Sequence, residues 1–206
     1  MSDREGALAK KAEGNQFFKA RDLERAVEKY SEAIELDNSD PTFFSNRSAC
    51  YAGMEEWEKA AEDGRSCIGC DKSFIKGYFR LALACQNLEN YEEGIAAIRR
   101  GLAVDASNRD LKNKLRELEG LNRVVKVGNL METARRQEEN GDFANAIKSA
   151  EAGLRMDSHH SDLRSVLERS RTAFEREEKQ RKASLSPTEL LKEEGDVNYK
   201  AANVRR

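Results

Sequence analysis

Shifted by 34 residues, this chain falls on itself: Leu23, Trp57 and Tyr91 align, as do Ala26, Ala60 and Gly94, and Asp37, Asp71 and Asp105. A period of that length is one helical hairpin, a unit too small to bury its own apolar face, so it has to stack on copies of itself. The period predicts an all-α chain. With 38% hydrophobic residues, 36% charged residues and only 2 prolines, the composition suits helices that have one buried stripe and a solvated back.

Three units follow, at about 7–40, 41–74 and 75–108. Small residues recur at the same three places in each: Gly14, Ala26 and Ala33, then Ser48, Ala60 and Cys67, then Ala82, Gly94 and Gly101. Small side chains there let two helices approach closely. Two other columns each lose bulk once: Phe17 and Tyr51 are followed by Cys85, and Tyr30 and Ile98 flank Gly64. Asp40 is placed to cap a helix, with Pro41 in its first turn, where a missing N–H costs little. A 34-residue hairpin with small residues at these offsets is the pattern of a tetratricopeptide repeat, so the expected architecture is a right-handed superhelix of stacked helical hairpins.

From Arg109 to about Val125, Leu111, Leu115 and Leu118 form an apolar stripe, which suits a helix capping the third repeat and ends a domain over 7–125. A weaker fourth repeat and a following helix are expected over 126–182. There Phe143, Ala146, Ala150, Gly153 and Asp157 fill the columns of Tyr91, Gly94, Ile98, Gly101 and Asp105. The shift is one period plus 18 residues, room for one extra helix. Residues 183–187, with Ser184 and Ser186-Pro187, read as a linker. Residues 188–206 resemble the first helix of a further, truncated repeat, as if the chain were a piece of a longer protein. In that segment Lys192 matches Lys11, but Asp196 stands where Asn15 stands.

The charges nearly cancel, 36 Lys+Arg against 38 Asp+Glu, so the chain has no overall field to attract nucleic acid or a membrane surface. Neither partner is expected, and the start is polar with no spanning apolar run. A cytoplasmic, monomeric protein with reduced thiols follows. Cys67 and Cys70 make a C-x-x-C and His159-His160 is adjacent in type. However, Cys67 shares the column of Ala33 and Gly101, so packing explains it and no metal or cofactor is expected. No catalytic constellation is legible, which points away from an enzyme.

The informative polar residues lie on the first helix of each unit. Lys11 and Asn15 are four apart, as are Lys76 and Arg80, and Asn46 occupies the same repeat position as Arg80. Such spacing puts each pair on one helix face, so three cations and two amides converge on one groove where an extended acidic peptide could lie.

Lys11-Ala-Glu-Gly-Asn15, Ser45-Asn46-Arg47-Ser48-Ala49 and Lys76-Gly77-Tyr78-Phe79-Arg80 resemble the tetratricopeptide domains of heat-shock co-chaperones, particularly the first domain of the heat-shock organizing protein family. The resemblance covers about 7–125 and implies that Lys11, Asn15, Asn46, Lys76 and Arg80 form a two-carboxylate clamp. The ligand it implies is the C-terminal Glu-Glu-Val-Asp of the 70-kDa and 90-kDa heat-shock chaperones. Phe18, Ala49 and Ala52 would border the pocket for the peptide's aliphatic side chains. The expected function is a non-enzymatic co-chaperone adaptor. Other readings are a J-domain or enzymatic co-chaperone whose other domain lies outside this chain, and a general peptide-binding scaffold of an assembly or transport complex.

Overall fold

A computed structural model describes residues 3–192. Its helices in chain order are α1 (Asp3–Lys19), α2 (Leu23–Leu36), α3 (Pro41–Gly53), α4 (Trp57–Cys70), α5 (Ile75–Asn87), α6 (Tyr91–Val104), α7 (Arg109–Glu139), α8 (Phe143–Met156) and α9 (Ser161–Ser184). Residues 187–192 are helical again. The truncated helix expected over 188–206 falls mainly outside the described residues. The chain divides into two compact units, the first ending at Asn122 and the second beginning at Arg123.

The period is visible as local chemistry. Leu23, Trp57, Tyr91 and Phe143 are the first residues of α2, α4, α6 and α8. Just before each start, the turn inside the hairpin passes through a left-handed residue: Arg21 at φ 64°, Glu55 at 61°, Glu89 at 56° and Gly141 at 75°. Asp22, Asn90 and Asp142 then cap the following helix by accepting the N–H of Arg25, Glu93 and Asn145. At the other end Asp37, Asp71, Asp105 and Asp157 close the same four helices. The side chains of Asp37, Asp71 and Asp105 accept bonds from the hydroxyl and N–H of Ser39, Ser73 and Ser107. These bonds hold the three carboxyls below the ordinary Asp value. Asp40 caps α3 through the Thr42 N–H, with Pro41 in the first turn.

In the first unit consecutive helices pack together and α3 also touches α5. The seam runs through Ala7, Ala33 and Phe43, then Ala26, Tyr30 and Cys50, then Ala60, Tyr78, Leu81 and Cys85. It ends where Ala82 and Ile98 meet Leu111 and Leu118 of α7. The loss of bulk at Gly64 has a backbone cause. A Cβ there would lie 2.8 Å from the Leu81 nitrogen and 2.9 Å from its Cα. At that crossing α4 and α5 touch main chain to side-chain position, which is closer than Tyr30 or Ile98 would allow.

The second unit buries Val127, Ala134, Ala150, Leu163 and Val166 together. Its first helical segment is not separate: α7 runs unbroken from Arg109 to Glu139, without the boundary expected near Val125. Gly120 and Gly128 do not interrupt it, because helical hydrogen bonding and good helix formers outweigh a cost of about 1 kcal/mol per glycine.

Two substitutions test the geometry. Gly64→Ala is expected to destabilise the chain by about 1–3 kcal/mol through forced displacement of Leu81. Glu89→Gly is expected to add up to about 1 kcal/mol by relieving the left-handed strain. Urea denaturation of each variant, followed by circular dichroism, checks both signs.

Candidate functional site

Four of the five clamp residues predicted from sequence face two adjoining pockets of the first unit. Asn15 and Phe18 on α1, Asn46 and Ala49 on α3, and Arg80 on α5 line a pocket of about 220 Å³, together with Tyr30 from α2. Lys76 and Arg80 line a larger one of about 680 Å³ between α5 and the start of α7, with Phe79 and Leu111 as its apolar wall. Arg80 belongs to both.

The amides are held in place. Tyr30 is fully buried, and its hydroxyl donates to Asn15 Oδ1 at 2.8 Å, while Asn46 Nδ2 donates to the same oxygen at 3.2 Å. With its oxygen engaged twice, the Asn15 amide turns its N–H donors to other acceptors. Burial pushes the Tyr30 phenol up to about 12, so it remains a donor at neutral pH.

The cations differ from one another. Lys11 donates to Thr42 Oγ1 at 2.6 Å and lies 5.5 Å from the centre of the Phe43 ring. Lys76 is exposed in the first turn of α5, where its charge adds to the positive end of the helix dipole. Arg80 is half-buried, and burial pulls its guanidinium below the ordinary arginine value. Among the described residues, neither Lys76 nor Arg80 is paired with a carboxylate. Arg47, beside Asn46 in sequence, is different: it grips the buried Asp63 at 2.9 and 2.8 Å and reaches Ser31 at 2.8 Å. Burial pushes the Asp63 carboxyl up against the opposing pull of Arg47, and the pair ties α2, α3 and α4 together.

Ala52 does not line the smaller pocket; it packs against the cluster of Ala60, Tyr78 and Leu81. Lys114, which sequence reasoning passed over, lies on the wall of the larger pocket. It is buried, bonded to Gln86 and, at 3.0 Å, to Glu117, and sits 6.0 Å from the Phe79 ring centre. Its signal was present, since it stands one period after Arg80 in the column that begins with Asn46.

Residues 14–54 match the family described as TPR repeat, and residues 75–108 the family described as tetratricopeptide repeat. The chain carries tetratricopeptide repeats over these two stretches. It is 38% identical over 105 residues to small glutamine-rich tetratricopeptide repeat-containing protein 2 of Mycosarcoma maydis, covering 51% of this chain and 30% of that protein. It is 34% identical over 112 residues to Hsp70-Hsp90 organizing protein 2 of Arabidopsis thaliana, covering 54% of this chain and 19% of that one. The chain thus spans less than a third of the length of these two relatives. Among solved structures it is similar to the second TPR domain of human RPAP3 in complex with the HSP70 peptide SGPTIEEVD. That likeness is 26% identical, has a TM-score of 0.55, and covers 57% of this chain and 98% of that one. None of the described helices is long and apolar enough to cross a membrane.

All four thiols are free. Cys67 Sγ bonds to the Pro41 carbonyl, while Cys70 Sγ bonds to that of Asn38. Burial pushes Cys50 and Cys67 up to about 12 and Cys85 to about 11, and all three are enclosed. Cys70 is exposed. With a disulfide reagent at pH 8, one thiol per native chain is expected to react promptly and the other three only on unfolding, a count read from thiolate release with and without denaturant.

Proposed function

We propose that the chain is a co-chaperone adaptor that acts by binding rather than catalysis, in the cytoplasm. Its ligand is the C-terminal Glu-Glu-Val-Asp tail of 70-kDa or 90-kDa heat-shock chaperones. The observation that carries this is Arg80, a partly desolvated cation that has no carboxylate partner among the described residues, set between a pocket of two oriented amides and Lys76, which has none there either. Such an arrangement lacks an anion. A chain-terminal Asp offers two carboxylates that stay ionised at neutral pH, and the neighbouring RPAP3 domain is solved with a peptide ending in that residue.

In this reading Lys11, Asn15 and Asn46 hold the terminal carboxylate, and Lys76 and Arg80 hold the Asp side chain and the adjacent main chain. Phe18 and Ala49 border the penultimate valine. Ala52 supports that wall from behind, through the core it packs against. Residues 7–125 are the binding domain and 126–182 a degenerate repeat with its following helix; of the link expected over 183–187, only 185–186 lie outside helices.

Charge-assisted hydrogen bonds contribute about 1.5–3 kcal/mol each. A few of them plus one buried valine, less the ordering of the tail, leave about −7 to −8 kcal/mol, a micromolar complex. The complex should weaken with salt, because its anions and cations remain partly exposed.

The second unit differs at the equivalent positions. One period plus 18 residues on from Lys76 and Arg80 it carries Gly128 and Glu132. A carboxylate in place of a cation would repel an acidic ligand, which supports placing the tail on the first unit alone.

Fluorescence polarisation with a labelled peptide ending in Glu-Glu-Val-Asp tests the reading. Amidating the terminal carboxylate, or substituting Lys76→Glu or Arg80→Ala, should each lower affinity at least tenfold while far-ultraviolet circular dichroism stays unchanged. Equal binding of the amidated peptide would refute the clamp.

A further inference from the structure

α4 and α6 contribute nothing to the two pockets above, yet between them lies a third, of about 330 Å³. α4 and the turn after it present Arg65, Ile68, Gly69 and Lys72 to it, and α6 presents Glu93, Ala96, Ala97 and Arg100. Both sets have the spacing i, i+3, i+4, i+7, so each is one continuous face about 10 Å long. Leu81 of α5 makes the floor.

The two ends of this pocket are unlike. At one end Arg65 and Glu93 close across the helices with paired bonds of 2.7 and 2.9 Å, and their charges cancel. At the other end stand Lys72 and Arg100, both exposed and, among the described residues, without a carboxylate partner. Arg100 is steadied 5.8 Å from the centre of the Tyr78 ring. The Tyr78 hydroxyl in turn donates to the Lys72 carbonyl at 2.9 Å. One tyrosine therefore steadies the Arg100 side chain and the backbone from which Lys72 extends.

Gly69 is the second observation. It lies inside α4, where glycine is destabilising relative to alanine, and a Cβ built on it would meet nothing within 4 Å. Gly64, one turn earlier, is required by the Leu81 backbone; Gly69 is required by no neighbour. What it provides is room, on the wall of a pocket whose opposite wall is Ala96 and Ala97.

We infer that this pocket docks a short acidic amphipathic helix of a partner protein, with its small or aliphatic face over Gly69 and a carboxylate between Lys72 and Arg100. Two parallel faces of about two turns each, lined by small residues and ending in unanswered positive charge, match the helix-in-groove mode of recognition. The pocket shares no residue with the clamp, so both can be filled at once. The chain then joins an acidic tail on one side to an acidic helix on another.

The probe is an N-acetylated, C-amidated helical peptide of Glu, Ala and Leu with its leucines on one face, titrated into the full chain and followed by amide NMR. Amidation denies it the terminal carboxylate that the clamp needs. Saturable shifts are expected at Gly69, Ala96 and Ala97, and a peptide with Lys in place of Glu should produce none. Gly69→Leu, whose Cβ meets no neighbour and whose side chain fills the pocket, and the double change Lys72→Glu with Arg100→Glu should each weaken binding at least tenfold. Both variants should still bind the Glu-Glu-Val-Asp peptide. Gly69→Ala should melt at or above the parent temperature, which separates loss of docking from loss of fold. The inference is overturned if those amides do not shift, or if both variants bind the probe as the parent does. It is also overturned if sedimentation shows self-association that Gly69→Leu abolishes, because the occupant would then be a second copy of this chain.

Discussion

The structure depends on how closely neighbouring helices can approach, and the small residues of each unit set that distance. At Gly64 the approach reaches its limit, with the Leu81 backbone inside the volume a methyl group would take. At Gly14 a side chain would run into the Tyr30 ring, and at Gly101 into Leu111 and Tyr78. These contacts do more than fill space. The Tyr30 ring sits against Gly14 while its hydroxyl reaches Asn15, so the packing that joins α1 to α2 also aims the amide that faces the pocket. Scaffold and site share an atom-level hinge.

Electrostatics divides the labour among residues that look alike in sequence. Arg47 and Arg80 both lie on first helices of repeats and both are partly buried, but Arg47 is bonded to Asp63 and Arg80, among the described residues, to no carboxylate. A buried pair of the first kind holds helices in place, since removing one partner leaves a charge whose cost is about 3–5 kcal/mol. In the proposed function, the unpaired cation is the one whose charge is left to an outside ligand. Lys114 belongs with Arg47 in this respect, because Glu117 and Gln86 already answer it.

Much of this was legible because the period is a ruler. Helix starts at Leu23, Trp57, Tyr91 and Phe143 and the closing aspartates sit where repetition places them, whereas the Asp40 cap was legible from its own residue type, since Phe74 one period on makes no cap bond. The shared pocket of Asn15, Asn46 and Arg80 was legible for the same reason. What escaped depends on contacts between units rather than on position within one. The continuity of α7 through Val125 reflects the absence of a capping or breaking residue, which a shift in the repeat pattern imitates. Ala52 carries the right column but leans onto the α4–α5 cluster. The reason for Gly64 became visible only with Leu81 beside it.

Arg80 has a consequence for the lifetime of the protein. Its guanidinium is already partly stripped of water when the chain folds, so the empty site holds unfavourable free energy that an arriving anion would release. Folding and occupancy are then coupled: a bound tail stabilises the native state by mass action in proportion to its saturation. The unoccupied form is correspondingly the one that opens more often and meets proteases sooner. Under the proposed function, the supply of acidic tails would thus govern how long each molecule survives as well as what it holds.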